Sequence, residues 1–113
     1  MGKLRFASLA ALFVCAAAAA AKLSPAQVLY STNQLNGQDI TLVGVVTSLK
    51  ALVTPDGQPY QSFKLCDAGA CITVFTRDNS TYTEGKEITV TGHFWAVRHE
   101  GYTTRYNEII LDD

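Results

Sequence analysis

From Asp39 onward apolar and polar residues alternate with a period close to two, and the alternation is interrupted wherever glycine, proline or short polar clusters occur. The stretch "DITLVGVVTSLKAL" is rich in β-branched residues and predicts a first strand, with Gly44 in its middle marking a bulge or sharp bend. "VTPDGQPY" ends it with Pro55-Asp56-Gly57, a turn in which proline fixes φ and glycine accepts the conformation that follows. Two more strands, about 60–66 and 71–75, flank the turn Asp67-Ala68-Gly69-Ala70. "TRDNSTYTEGK" is a polar connection, "EITVTGHFWAV" a fourth strand, "RHEGYTT" a loop and "RYNEIIL" a fifth strand. Ahead of them, Ser24 as N-cap, Pro25 at the first helical position and the apolar pair Val28 and Leu29 predict one short helix, about 24–31, closed off by the Asn36-Gly37 turn. The expectation is a mainly β domain with one short N-terminal helix and a five-stranded barrel over about 39–111. An open five-stranded sheet would leave an apolar face and two edges exposed.

The first 21 residues do not share this alternation. Lys3 and Arg5 precede an apolar run from Ala7 to Val14 and an alanine tract, the three-part layout of a secretory signal peptide, with Ala19 and Ala21 satisfying the small-x-small rule for cleavage after Ala21. The strongly apolar part is short for a membrane span. "LFVC" at Cys15 departs from a lipoprotein box because Val14 stands where a small residue is wanted. Cleavage would leave a single domain, residues 22–113, with seven basic and ten acidic residues and a net charge of −3. A periplasmic or secreted location is therefore expected, with no membrane span after cleavage.

Export changes how the cysteines are read. The processed chain keeps two, Cys66 and Cys71, in an oxidising compartment where an even count favours a disulfide. If Phe63, Leu65, Ile72 and Val74 point inward, then Lys64, Cys66, Cys71 and Phe75 share the opposite face and the two cysteines meet across the turn. A metal site would want three or four ligands, and a redox pair the Cys-x-x-Cys spacing beside a helix start. No metal, cofactor or catalytic residue is expected. The acidic residues Asp56, Asp67, Asp78 and Glu84 mostly fall in turns or at edges, and no nucleophile–base pair or carboxylate pair stands in a context that could be argued.

The same alternation places Tyr60, Lys64, Phe75 and Arg77 on the outer face, where rings interleaved with cations make a stacking surface for bases, sugars or peptide segments. Half-exposed sheet positions also favour aromatics for reasons of packing alone. Arg98, His99 and Tyr102 belong to the loop that would flank this face, with His93 and Trp95 nearby on the fourth strand and Arg105 beyond the loop. Asn79-Ser80-Thr81 is a glycosylation sequon, relevant only in a eukaryotic host.

The order of elements, the central Gly44, the "FKLCDAGACITVF" hairpin and the "GKEITVTGHF" strand together resemble the OB-fold, over about residues 39–111. The helix ahead of the first strand, and the short polar stretch where many relatives carry a helix, make the layout similar to small exported OB-fold proteins of bacteria. The resemblance implies a binding module with its ligand on the face of the second and third strands, between the loops at Pro55 and Arg98. Nucleic acid follows by fold analogy only, since the processed chain is acidic. Two other readings stay open: an envelope adaptor that meets a protein partner at a sheet edge, and a haem or metal chaperone using His99 and Tyr102. The haem chaperone of cytochrome c maturation is also an exported OB-fold with a His followed closely by a Tyr, though the spacing here differs.

Overall fold

A computed structural model describes residues 21–111, so the expected signal peptide lies, Ala21 apart, outside the described residues. The chain opens with a two-residue strand β1 (Lys22–Leu23) and two short helices, α1 (Pro25–Tyr30) and α2 (Thr32–Leu35). Five strands follow: β2 (Asp39–Val53), β3 (Pro59–Asp67), β4 (Ala70–Thr76), β5 (Glu87–Glu100) and β6 (Thr103–Leu111). They pair in the order β2-β3-β4-β6-β5, and β5 returns to pair with β2, which closes the ring; β4 and β6 run parallel and the other ring pairs antiparallel. Closure removes the edges that a flat sheet would expose. A five-stranded Greek-key barrel of this connectivity is an OB-fold.

The core follows from the period of two. Ile40, Leu42 and Val46 of β2, Phe63 and Leu65 of β3, Ile72 and Val74 of β4, Val90 and Phe94 of β5, and Ile109 and Leu111 of β6 are all buried. Val28 of α1 is fully buried with them, and the helix packs against β3 and β4. The helix start is fixed locally: Gln27 N donates to Ser24 Oγ at 3.2 Å and Ser24 N to Gln27 Oε1 at 2.8 Å, a reciprocal capping box. One helix was expected over 24–31. That helix is α1, which starts at its Ser24 cap and ends at Ser31 (φ −129°, ψ 37°); the further turn α2 was not expected, buries no residue fully and sets only Leu35 partly against the core. β1, which pairs in parallel with Thr41 and Leu42, is too short to show a pattern at all.

Two expectations are corrected. The bulge in β2 lies between Thr47 and Lys50, where Ser48 takes φ 56°, and not at Gly44. Its amides, Ser48 N and Leu49 N, donate to the two carboxylate oxygens of Glu84 at 3.0 and 3.1 Å, so a side chain from the connection before β5 holds the bend. Gly44 serves close approach: a Cβ there would meet Cys66 N and Leu65 Cβ at 3.1 Å. The second correction concerns "RHEGYTT", expected as a loop. Arg98–Glu100 complete β5, Thr103 and Thr104 begin β6, and only Gly101-Tyr102 turn between them. Arg98 therefore sits on a strand, in register with Arg105.

Cys66 and Cys71 face each other in the β3–β4 register and are joined by a disulfide, S–S 2.03 Å. Closing so short a loop should stabilise by roughly 2 kcal/mol through the entropy of the unfolded chain. The Cys66→Ser/Cys71→Ser variant is expected to unfold at correspondingly lower urea concentration than the oxidised protein, and coincident unfolding curves would show that the hairpin turn alone fixes this register.

The connection between β4 and β5 carries no helix and is organised around Asp78. Tyr82 packs on Phe63, ring centroids 4.7 Å apart, and its hydroxyl donates to Asp78 Oδ2 at 2.8 Å. Burial, followed by the Asp78 hydrogen bond and charge, pushes the Tyr82 phenol up to about 12, so it stays a donor at neutral pH. Gln61 Nε2 donates to the carbonyls of Asp78 and Ser80, tying this connection to β3.

Candidate ligand-binding cleft

The outer face of the barrel is built in register rows. One row runs Ser62, Phe75, Ile110, His93 and Asp39 across β3, β4, β6, β5 and β2; the next runs Lys64, Thr73, Glu108 and Trp95. Along a strand, residues two apart share a face, so Tyr60 stands beside Ser62, and its ring lies 6.3 Å from that of Phe75. Both rings are half-buried.

A cleft of about 550 Å³ opens over these rings. Its floor is Tyr60, Phe75 and Ile110. One wall is Val53, Thr54 and Pro55 at the β2–β3 connection, and the other is the β5–β6 hairpin with Arg98, Glu100 and Arg105. The first wall is preorganised by its own hydrogen bonds: Gly57 N donates to Thr54 O at 2.9 Å, Thr54 N to Gln58 O at 2.8 Å, Gln58 N to Thr54 Oγ1 at 2.9 Å, and the Thr54 hydroxyl to Asp56 Oδ1. A volume of this size, lined by apolar rings with a few convergent polar groups, suits one or two ring-sized units of a ligand.

The second wall carries the charge. The guanidinium carbons of Arg98 and Arg105 lie 6.0 and 5.5 Å from the centre of the Phe75 ring, within cation–π range. Both arginines are also paired with carboxylates. Glu108 Oε1 accepts from Arg98 Nε and Nη2 at 3.1 and 3.0 Å, and its Oε2 lies 3.7 Å from Arg105 Nη1. Glu100 Oε1 accepts from Arg105 Nε at 3.1 Å, and its Oε2 lies 3.5 Å from Arg98 Nη1. Glu108 is 3% exposed, whereas the Glu100 side chain is 57% exposed. The Arg105 hydrogen bond, with the Arg98 charge behind it, holds the Glu100 carboxyl below its ordinary value. Glu100 is therefore ionised at neutral pH.

Of the residues expected to bind, Tyr60, Phe75, Arg77 and Arg98 line this one cleft. Lys64 is exposed on the same face but one row away, beyond the cleft. His99 leaves it too, its Nδ1 3.2 Å from Thr104 Oγ1 on the hairpin, and Tyr102 projects fully exposed from the hairpin tip. His93 and Trp95 pack ring against ring on the far side of Ile110, centroids 4.9 Å apart and planes tilted by 52°, and His93 Nδ1 meets Asp39 Oδ1 there at 2.9 Å. Among the described residues no group of three or more His, Cys, Asp or Glu is placed to hold a metal ion. Sequence reasoning put Glu100 in the flanking loop without giving it a role, and missed Glu108, Ile110 and Val53. The pairs Arg98-x-Glu100 and Arg105-x-x-Glu108 were visible as charges, but their convergence depends on the hairpin register.

No protein-family model and no curated protein sequence matches the chain. Among solved structures it is similar to RecG bound to a three-way DNA junction, with a TM-score of 0.54 and 21% identity, over 80% of this chain and 12% of the RecG chain. The second OB-fold domain of replication protein A from Methanococcus maripaludis gives a TM-score of 0.45 and 20% identity, over 69% of this chain and 82% of that one. The chain thus spans about an eighth of RecG, and the likeness is one of fold.

Proposed function

We propose that this chain is a non-enzymatic OB-fold binding module that works in the periplasm or outside the cell and takes single-stranded nucleic acid, or a polymer of similar ring-and-anion chemistry, in the Tyr60–Phe75 cleft. The observation that carries the reading is the cleft itself: two half-buried rings between a self-bonded connection and a hairpin that brings two guanidiniums over one of them. Successive bases stack on such rings with little sequence preference. The fold's usual ligand face coincides with this cleft, and the DNA-bound RecG structure that shares the fold makes nucleic acid the first ligand to test. Export is supported by the Cys66–Cys71 disulfide, which suits an oxidising compartment. No helix among the described residues is long and apolar enough to cross a membrane.

The test is a titration of the processed protein against a fluorescent oligothymidylate at low salt. Tyr60→Ala and Phe75→Ala should each weaken binding by about 1–3 kcal/mol, the worth of one lost stack, while the melting temperature stays near that of the parent. Unchanged affinity in both variants, with binding lost on replacing Trp95 or His93, would move the site to the far side of Ile110.

A further inference from the structure

Arg98 and Arg105 are directly opposed across β5 and β6. Like charges in that position repel unless anions intervene, and here two do. Glu108 lies beneath, buried and fixed by its place in the β6 ladder; Glu100 lies on the cleft side, exposed, at the last residue of β5 beside the Gly101 turn. The two carboxylates have different roles. Glu108 cannot leave without exposing a buried pair. Glu100 can swing into water by rotating its own side chain, and doing so uncovers Arg105 Nε and Arg98 Nη1, the donors it now occupies.

We propose that the cleft side of the Arg98–Arg105 pair is a binding site for one phosphodiester group of a single strand, and that Glu100 is a resident anion that a ligand must displace. The inference rests on the reading of the cleft as a single-strand site. The spacing suits it, because a base stacked in the cleft is separated from its own phosphate by one sugar, and the guanidiniums stand 5.5 and 6.0 Å from the Phe75 ring. Guanidinium donors bind phosphate in the same forked geometry as carboxylate. A carboxylate already in place makes the site selective: an isolated anion gains little by exchanging with it, whereas a phosphate delivered by a stacked base competes at high local concentration. It also limits attraction between the whole acidic domain and non-specific polyanions.

The probe is the same oligothymidylate, measured at two or more salt concentrations with wild type, Glu100→Gln, Glu100→Ala and Arg105→Gln. Both Glu100 variants are expected to tighten binding about three- to tenfold at low salt and to steepen the salt dependence by about 0.7 in log–log slope, the release of one further counterion from a single strand. Arg105→Gln should weaken binding and flatten the slope. Binding by a Glu100 variant where wild type shows none would also support the proposal. It is overturned if the Glu100 variants leave affinity and slope unchanged while Tyr60→Ala and Phe75→Ala still weaken binding; the cleft would then stand without an anion site. If neither wild type nor any Glu100 variant binds, the single-strand reading and this proposal fall together.

Discussion

Replacing Arg98 by alanine is expected to destabilise the domain by about 3 kcal/mol, because it leaves a buried carboxylate without its main partner. Glu108 is 3% exposed and takes two of its hydrogen bonds, at 3.0 and 3.1 Å, from the single guanidinium of Arg98. Its contact with Arg105 is longer, 3.7 Å, and the Arg105 side chain is 39% exposed against 23% for Arg98. Arg105→Ala should therefore cost distinctly less, about 1 kcal/mol, as for a partly exposed pair. The double variant Arg98→Ala/Glu108→Leu removes the orphaned charge and should recover at least half of the loss, since an apolar side chain can take the place of a buried ion pair. Urea unfolding of the four proteins reads all three differences. Equal losses for Arg98→Ala and Arg105→Ala, or no recovery in the double variant, would mean that Glu108 is not held as described.

That pair lies where the sequence was least readable. The barrel core was legible because each strand buries one face: "FKLCDAGACITVF" places Phe63, Leu65, Ile72 and Val74 inside, and all four are buried. The same alternation puts Cys66 opposite Cys71 and brings Tyr60 near Phe75. The β5–β6 hairpin runs past Trp95 and Glu108 with charged and polar residues on both faces, Arg98, His99 and Glu100 against Thr103, Thr104 and Arg105, so it shows no apolar period and reads as a loop. The β2 bulge was misplaced for another reason. Glycine is the usual marker of a bend, but here Ser48 adopts the positive φ and Glu84, 36 residues away in sequence, satisfies the freed amides. Glu108 has the appearance of an outward residue in an alternating strand, and it is outward; its burial comes from two arginines that reach over it from the hairpin. What local pattern cannot show in each case is a side chain contributed from another strand or connection.

Gly92→Ala is expected to be the most damaging single-methyl change in the barrel. An ideal Cβ at Gly92 would lie 2.5 Å from Ile110 O and 3.0 Å from both Ile110 C and Leu111 Cα. These are backbone atoms, so no rotamer change can relieve the overlap, and β6 must move away from β5. β6 has little freedom to do so, because Ile109 and Leu111 are packed in the core and Val74 and Phe75 pair with Ile109 and Ile110 on its other edge. Overpacking of this kind costs typically 1–3 kcal/mol and occasionally more; with the shift opposed from both sides, about 3 kcal/mol is expected. For a domain of this size that is a fall in melting temperature of roughly 12–24 °C. Gly44→Ala provides the internal comparison. Its Cβ would meet Cys66 N and Leu65 Cβ at 3.1 Å, a contact that a few tenths of an ångström of movement relieves, so the loss should be smaller. The consequence of Gly92→Ala should extend to the cleft, because Ile110 is part of its floor and lies beside Phe75. In the folded fraction, well below the lowered melting temperature, the oligothymidylate affinity should fall in Gly92→Ala and not in Gly44→Ala. A Gly92→Ala protein that melts within a degree or two of wild type would show that β5 and β6 do not approach this closely, and with that the register that brings Arg98 opposite Arg105 would have to be redrawn.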